Sequence, residues 1–333
     1  MSFCTTLTFV RSSAVILTII AVWHLLAGSD SSIMGSTSDS KPTYESIPGY
    51  FQQDDPATDA DTFDYFTNNF GLVNRDYDHE TPADKQLPQW QRFEKHITAL
   101  AHSSEGSGTQ YKVLYLGRHG EGFHNLGEAK YGTKAWDDYW SKLDGDGELF
   151  WDDAHLTDKG KEQALTNNAF LQSQFADKGM PAPEAYYTSP LYRCLQTANL
   201  TYTGIPVPET RPFRPTIKEL MREVMGEHTC DRRSTRTVIH AAVPEWSIEQ
   251  GFTEKDELWR ADHRETPDEH DRRTRELLDD VFASEGDGRV VLSFTSHSGA
   301  IASLLRVLGH GQWRIPTGGM MPVVVKATGV KAA

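Results

Sequence analysis

Apolar positions along the chain fall into two kinds of pattern. Val113-Leu114-Tyr115-Leu116 is a short apolar run, partly β-branched and aromatic, ending at Gly117. It predicts a buried strand. Ala185–Thr188, Val290–Phe294 and Pro322–Val325 predict further strands, and Thr216–Leu220 a short strand or loop. Helical spacing appears at Trp90, Phe93, Ile97 and Leu100, which predicts a helix over Trp90–His102. Thr157 is a candidate N-cap for a helix whose apolar face, Ala164, Leu165, Phe170 and Leu171, runs to about Phe175. Ser189 and Pro190 give a cap followed by a first-turn proline, so Arg193 falls in a first helical turn. Glu249–Leu278, dense in charge, reads as one or two exposed helices, the second over Pro267–Val281. Ala300–Leu308 closes the series. Strands alternating with helices predict an α/β three-layer sandwich, with a mixed, mostly parallel sheet and helices on both faces.

The same pattern divides the chain. Residues 1–29 carry Arg11 before an apolar run from Ala14 to Leu26, then Ala27-Gly28-Ser29. A secretory signal peptide is expected, with an uncleaved anchor as the alternative. Residues 30–43 read as a flexible linker. Residues 44–110 form an N-terminal arm and helix; its many aromatics, as in PGYFQQDD and TFDYFTNNFGL, imply packing on the core. Residues 111–328 form the main domain. Within it, 129–153 is an aromatic and acidic insertion, read equally as a lid and as a packed surface excursion. Its DGDGE hints at a calcium loop, but the register would place Lys142 at the first ligand position, so the match fails.

Composition narrows the partners. At 333 residues with a net charge of −14, the chain argues against nucleic acid and anionic membrane surfaces. It leaves room for a local arginine cluster. Three cysteines are too few for a disulfide scaffold, and Cys4 lies in the leader. Cys194 and Cys230 either pair or pack as small apolar side chains. No metal spacing such as HExxH or paired CxxC occurs, so no metal and no cofactor are expected. Asn199-Leu200-Thr201 is the one N-glycosylation sequon.

Candidate chemistry sits where the first strand ends. Arg118, His119 and Gly120 follow Leu116-Gly117 directly, at the carboxyl edge where α/β sheets place their sites. Arg118 offers a planar fork of donors suited to phosphate. Neutral His119 has a nucleophilic nitrogen. Gly120 and Gly122 let the backbone approach a ligand closely. Arg193 points back to the same edge.

Four stretches in order resemble the histidine phosphatase superfamily, also called phosphoglycerate mutase-like: Arg118-His119-Gly120 with Asn125, SPLYRCLQTA with Arg193, MREVMG with Glu223, and SFTSHSG with His297. An LTxxGxxQA pattern from Leu156 matches as well. The PGYFQQDD arm and the CDRR run resemble the fungal phosphomutase-like branch. The resemblance implies that His119 attacks phosphorus and becomes a tele-phosphohistidine. Arg118, Asn125, Arg193 and Ser298 would bind the substrate, and His297 would stabilise the transition state. Glu223 would give and take the proton; Glu219 is the alternative, against a solvent-facing role beside Arg222 or Lys218. His228, Arg232, Arg233 and Arg236 either read the substrate beyond its phosphate or are solvated. The implied partner is a small-molecule phosphate ester, with no nucleic acid and no membrane after leader cleavage. The expected activity is a secreted phosphomonoesterase. A phosphoglycerate mutase-type phosphotransferase and a non-catalytic phosphate-binding protein are the alternatives.

Overall fold

The computed structural model describes residues 41–330 and Met1. The predicted leader and most of the predicted linker lie outside the described residues, although Thr43 already pairs in the sheet. In chain order the elements are β1 (Thr43–Ser46), α1 (Gln89–Ser103), β2 (Thr109–Arg118), α2 (Phe123–Tyr131), α3 (Thr133–Asp138), α4 (Asp158–Asp177), β3 (Ala185–Thr188) and α5 (Tyr192–Tyr202). There follow β4 (Thr216–Ile217), α6 (Arg236–Ala242), β5 (Ser247–Ile248), α7 (Pro267–Glu285), β6 (Val291–Ser296), α8 (Ser298–Val307) and β7 (Met320–Thr328).

Among the described residues the strands form one sheet in the order β1-β7-β2-β6-β3-β4-β5. β2, β6, β3, β4 and β5 are parallel, and β7 runs antiparallel between β1 and β2. The strand at 113–116 extends to both sides and is buried on both faces, which explains its unbroken apolar run. Leu114 and Leu116 face one layer, with Leu278, Phe282 and Leu304 of α7 and α8. Val113 and Tyr115 face the other, with Trp90, Phe93 and Ile97 of α1, Leu171 of α4 and Tyr202 of α5. The arm's Phe51 and Phe70 belong to this second layer, and both are fully buried.

Three expectations change. Ser189 and Pro190 do not open α5, which starts at Tyr192 with Leu191 as N-cap. Ser189 Oγ instead accepts the Leu191 N–H at 3.3 Å. Residues 249–266 form no helix; several of their charges enter ion pairs, including Asp256 with Arg222 and Glu265 with Arg273. α7 is not simply exposed, because Leu277, Leu278, Val281 and Phe282 enter the core. In the insertion, Trp136 and Trp151 pack edge-to-face at 5.1 Å and cover Cys230, while Tyr139 and Phe150 stay exposed. Trp136 and Trp151 therefore pack on the domain, while Tyr139 and Phe150 do not.

Candidate active site

Parallel pairing in register builds the site. Arg118 of β2 sits opposite Ser296 of β6, so the next residues, His119 and His297, leave neighbouring strands at the same edge. The His119 N–H donates to Ser296 O at 3.0 Å. The two imidazole centroids are 5.1 Å apart. Arg193 enters from the first turn of α5, beside the end of β3. His119 and Arg193 are each 1% exposed and His297 is 0% exposed.

His119 Nδ1 lies 2.7 Å from Gly120 O. A carbonyl accepts only, so Nδ1 carries the hydrogen and Nε2 keeps its lone pair. Burial, with the charges of Arg193 and Arg118, holds the His119 pKa well below the ordinary histidine value. The imidazole is thus neutral and nucleophilic near neutral pH. Burial and the charge of Arg193 depress His297 likewise. His297 Nε2 lies 2.8 Å from Ser189 Oγ, and Cys194 Sγ sits 3.4 Å from the same nitrogen. Cys194 and Cys230 are buried free thiols.

The arginines are held differently. Arg118 Nη1 donates to Ile315 O at 2.9 Å. Arg193 Nη1 donates to Cys230 O at 2.6 Å and Nη2 to Asp231 Oδ1 at 3.0 Å. The Nε of each is buried without a partner among the described residues. Buried donors are normally satisfied, so two such groups at one edge favour an acceptor-rich ligand.

Glu223 lies at the N-terminus of α8. Its Oε1 accepts the Val224 N–H at 2.9 Å, and its Oε2 accepts the Gly299 N–H at 3.0 Å and the Ser298 hydroxyl at 3.3 Å. A carboxylate has about four acceptor positions, so these bonds leave room for a proton. Glu219 is placed otherwise: it is buried, with Arg222 Nη1 at 2.8 Å and Arg233 Nε at 2.7 Å. It is therefore neither solvent-facing nor free to serve as the acid. Asn125 Oδ1 accepts the Gly122 N–H at 3.0 Å, which caps α2. Arg233 is also structural, stacked on Phe252 with its cation 4.0 Å from the ring centre. Arg232 pairs with Asp144 at the surface, and Arg236 opens α6.

Gly120 and Gly122 approach protein. A Cβ on Gly120 would stand 2.3 Å from Gly160 O, and one on Gly122 would stand 2.7 Å from His124 Nδ1. The LTxxGxxQA stretch thus clamps the Arg-His-Gly loop from the start of α4. Thr157 caps that helix, and Gln163 Oε1 accepts the Glu121 N–H at 2.8 Å.

Sequence reasoning missed His124, Thr197 and Asp231. The His124 ring centre is 5.3 Å from that of His119. Thr197 Oγ1 accepts the Gly120 N–H at 3.0 Å. All three stood in or beside a quoted motif, His124 before Asn125, Thr197 within SPLYRCLQTA and Asp231 within CDRR, but only tertiary contacts show that they meet the site. A cavity of about 610 Å³ opens beside the site, lined by Arg118, Ser298, Gly299, Trp313 and Arg314. Another groove, about 470 Å³ and lined by Tyr77, Glu80 and Arg92, lies beside α1 and contains none of these groups.

Residues 144–320 match the family model of the histidine phosphatase superfamily, branch 1. The match begins after Arg118 and His119, so their placement rests on the geometry above. The chain is 47% identical to a probable phosphoglycerate mutase of Arthroderma benhamiae, over 91% of this chain and 88% of that one. It is 36% identical to phosphomutase-like protein 3 of Candida albicans, over 87% and 82% of the two chains. A probable phosphoglycerate mutase of Saccharomyces cerevisiae is 32% identical, over 84% of this chain and 95% of its own. With two histidines and two arginines at the carboxyl edge of a mostly parallel sheet, the chain belongs to the histidine phosphatase superfamily.

Proposed function

We propose that this protein is a phosphomonoesterase that works through a phosphohistidine on His119. The observation that carries the reading is a neutral imidazole, with Nε2 unengaged, beside His297 and two arginines that each keep an unpaired donor. A phosphoryl group spreads charge over three oxygens and needs fixed donors around them, with a nucleophile in line. In this reading Arg118, Arg193 and Asn125 hold those oxygens, Ser298 faces the alcohol, and His297 takes a proton as the dianion arrives. Nε2 of His119 bonds to phosphorus as the ester P–O bond breaks. Glu223 gives its proton to the departing alkoxide, then takes one from the water that attacks phosphohistidine, so inorganic phosphate leaves and His119 is restored.

Transfer to a second hydroxyl instead of water would make the protein a mutase. The names of its fungal relatives favour that second reading, and the apolar leader of a secreted protein favours the first. Phosphate release from p-nitrophenyl phosphate, measured beside isomerisation of 3-phosphoglycerate, separates them. His119→Ala abolishes either activity. A wild type inert toward both, and toward a panel of other esters, favours phosphate binding without turnover. Secretion and a glycan on Asn199 belong to the same proposal. Asn199 is exposed on α5, whereas Thr201 of its sequon is buried. A mass shift of the secreted protein on deglycosylation tests both.

A further inference from the structure

Asp231 lies in a short turn, Thr229–Asp231, and is 2% exposed. Its carboxylate stands between two guanidinium groups. Oδ1 accepts from Arg193 Nη2 at 3.0 Å, and Oδ2 accepts from Arg264 Nη1 at 2.8 Å. The turn is fixed from several sides: Thr229 Oγ1 donates to Leu143 O at 2.6 Å, Trp259 Nε1 to His228 O at 2.9 Å, and Arg222 Nη2 to Asp231 O at 2.5 Å. Arg264 also donates to Val224 O at 2.9 Å and Gly226 O at 2.7 Å, next to Glu223.

We infer that Asp231 is a positioning residue, which with Arg264 sets the guanidinium plane of Arg193 toward the phosphoryl oxygens. This rests on the phosphatase reading above. Three features point to it. Arg193 spends one donor of each terminal nitrogen on this turn, through Cys230 O and Asp231, and its Nε stays buried and unpartnered. Its orientation is therefore decided on the side away from the ligand. A planar fork held from behind presents its remaining donors in one direction. The charges sum to one positive unit, because one carboxylate faces two guanidinium groups, so the triad keeps a net attraction for a phosphate dianion. Burial works against the charged form of Asp231, and the charges of Arg264 and Arg193 overcome it, so the carboxylate stays ionised. A hydrogen-bonded buried ion pair can also serve the fold alone, and the test must separate the two roles.

A double-mutant cycle does so. Turnover of p-nitrophenyl phosphate is measured for wild type, Asp231→Ala, Arg193→Ala and the double variant, with melting temperature and circular dichroism for each. A misplaced donor costs on the order of 100-fold in kcat. Asp231→Ala therefore lowers kcat about 100-fold with little change in KM, and Asp231→Asn, which keeps an acceptor for Arg193, recovers about ten-fold of it. In the Arg193→Ala background the same change has almost no further effect, since residues acting through one another are not additive. Equal losses in both backgrounds, or wild-type kcat in a folded Asp231→Ala protein, overturn the proposal. Should wild type turn over no ester, the phosphatase reading falls. The cycle is then read from calorimetric binding of inorganic phosphate, where additive losses refute the positioning role and non-additive losses sustain it. If Asp231→Ala does not fold, Asp231→Asn and Arg264→Gln carry the same comparison.

Discussion

Glu223 owes its place to a missing side chain. A Cβ on Gly299 would stand 2.0 Å from Glu223 Oε1, so only glycine lets the carboxylate settle on the first turn of α8. Gly299→Ala displaces the acid without removing it. The expected result is a loss of about 100-fold with alkyl phosphates, the low end of the roughly 10²–10⁴-fold that a positioned acid contributes, and a much smaller loss with p-nitrophenyl phosphate. Glu223→Gln should show the same dependence on the leaving group, because nitrophenolate departs without a proton. Equal losses with both esters would remove Glu223 from the acid role. The residue scale also explains which guesses from sequence failed. Glu219 and Arg233 looked like site groups because they neighbour Glu223 in the chain, yet they satisfy each other in a buried pair.

Between elements, the Arg-His-Gly loop lies directly against the start of α4. A Cβ on Gly160 would lie 2.1 Å from Glu121 O, and Gly120 meets Gly160 from the other side. The obstacle is backbone, which cannot swing aside. Gly160→Ala should cost about 1–3 kcal/mol in urea unfolding, as overpacking does, and should lower turnover by moving His119. A second contact ties the arm to the loop after α8. His310 Nε2 lies 3.4 Å from Asp54 Oδ1, with both side chains 3% exposed, while Asp54 Oδ2 takes the N–H groups of Tyr50 and Phe51. Burial would lower the His310 pKa, but the Asp54 carboxylate and the Gly311 carbonyl raise it overall. A histidine raised on folding stabilises fully below its unfolded value, about 6.5, and the gain is lost as pH rises through the folded value. Proteolysis of the arm in His310→Ala should therefore accelerate more at pH 6 than at pH 9, relative to wild type.

For the whole molecule the histidines of the core set the opposite trend. Burial and neighbouring arginines hold His119, His124 and His297 well below the ordinary value, and His270 at about 3. Below pH about 6.5 the unfolded chain takes up protons that the folded chain refuses, so stability falls with pH. Each such group loses about 1.4 kcal/mol per pH unit between its unfolded and folded values. His270 is the one among them outside the site, so His270→Gln should flatten the slope of unfolding free energy between pH 6 and 5 by about one proton. An unchanged slope would mean that His270 protonates freely in the native state.

The sequence by itself determined the main strands, several of the helices and the candidate chemistry at their ends. Apolar runs identified β2, β3, β6 and β7, and the Thr157 cap placed α4, because burial and capping are local demands on residue type. Motif order singled out His119, Arg193, Glu223 and His297. Only the tertiary structure decided register, which sets Arg118 opposite Ser296 and so brings two histidines together from residues far apart in the chain. It also decided which charges are consumed by one another. Glu219, Arg222, Arg233 and Asp256 lock together, and Asp231 stands behind Arg193. The chain neighbourhood offered Arg222 to Glu219, but not Arg233 or Asp256 and not Asp231 to Arg193, because a long-range ion pair is chosen by distance in space.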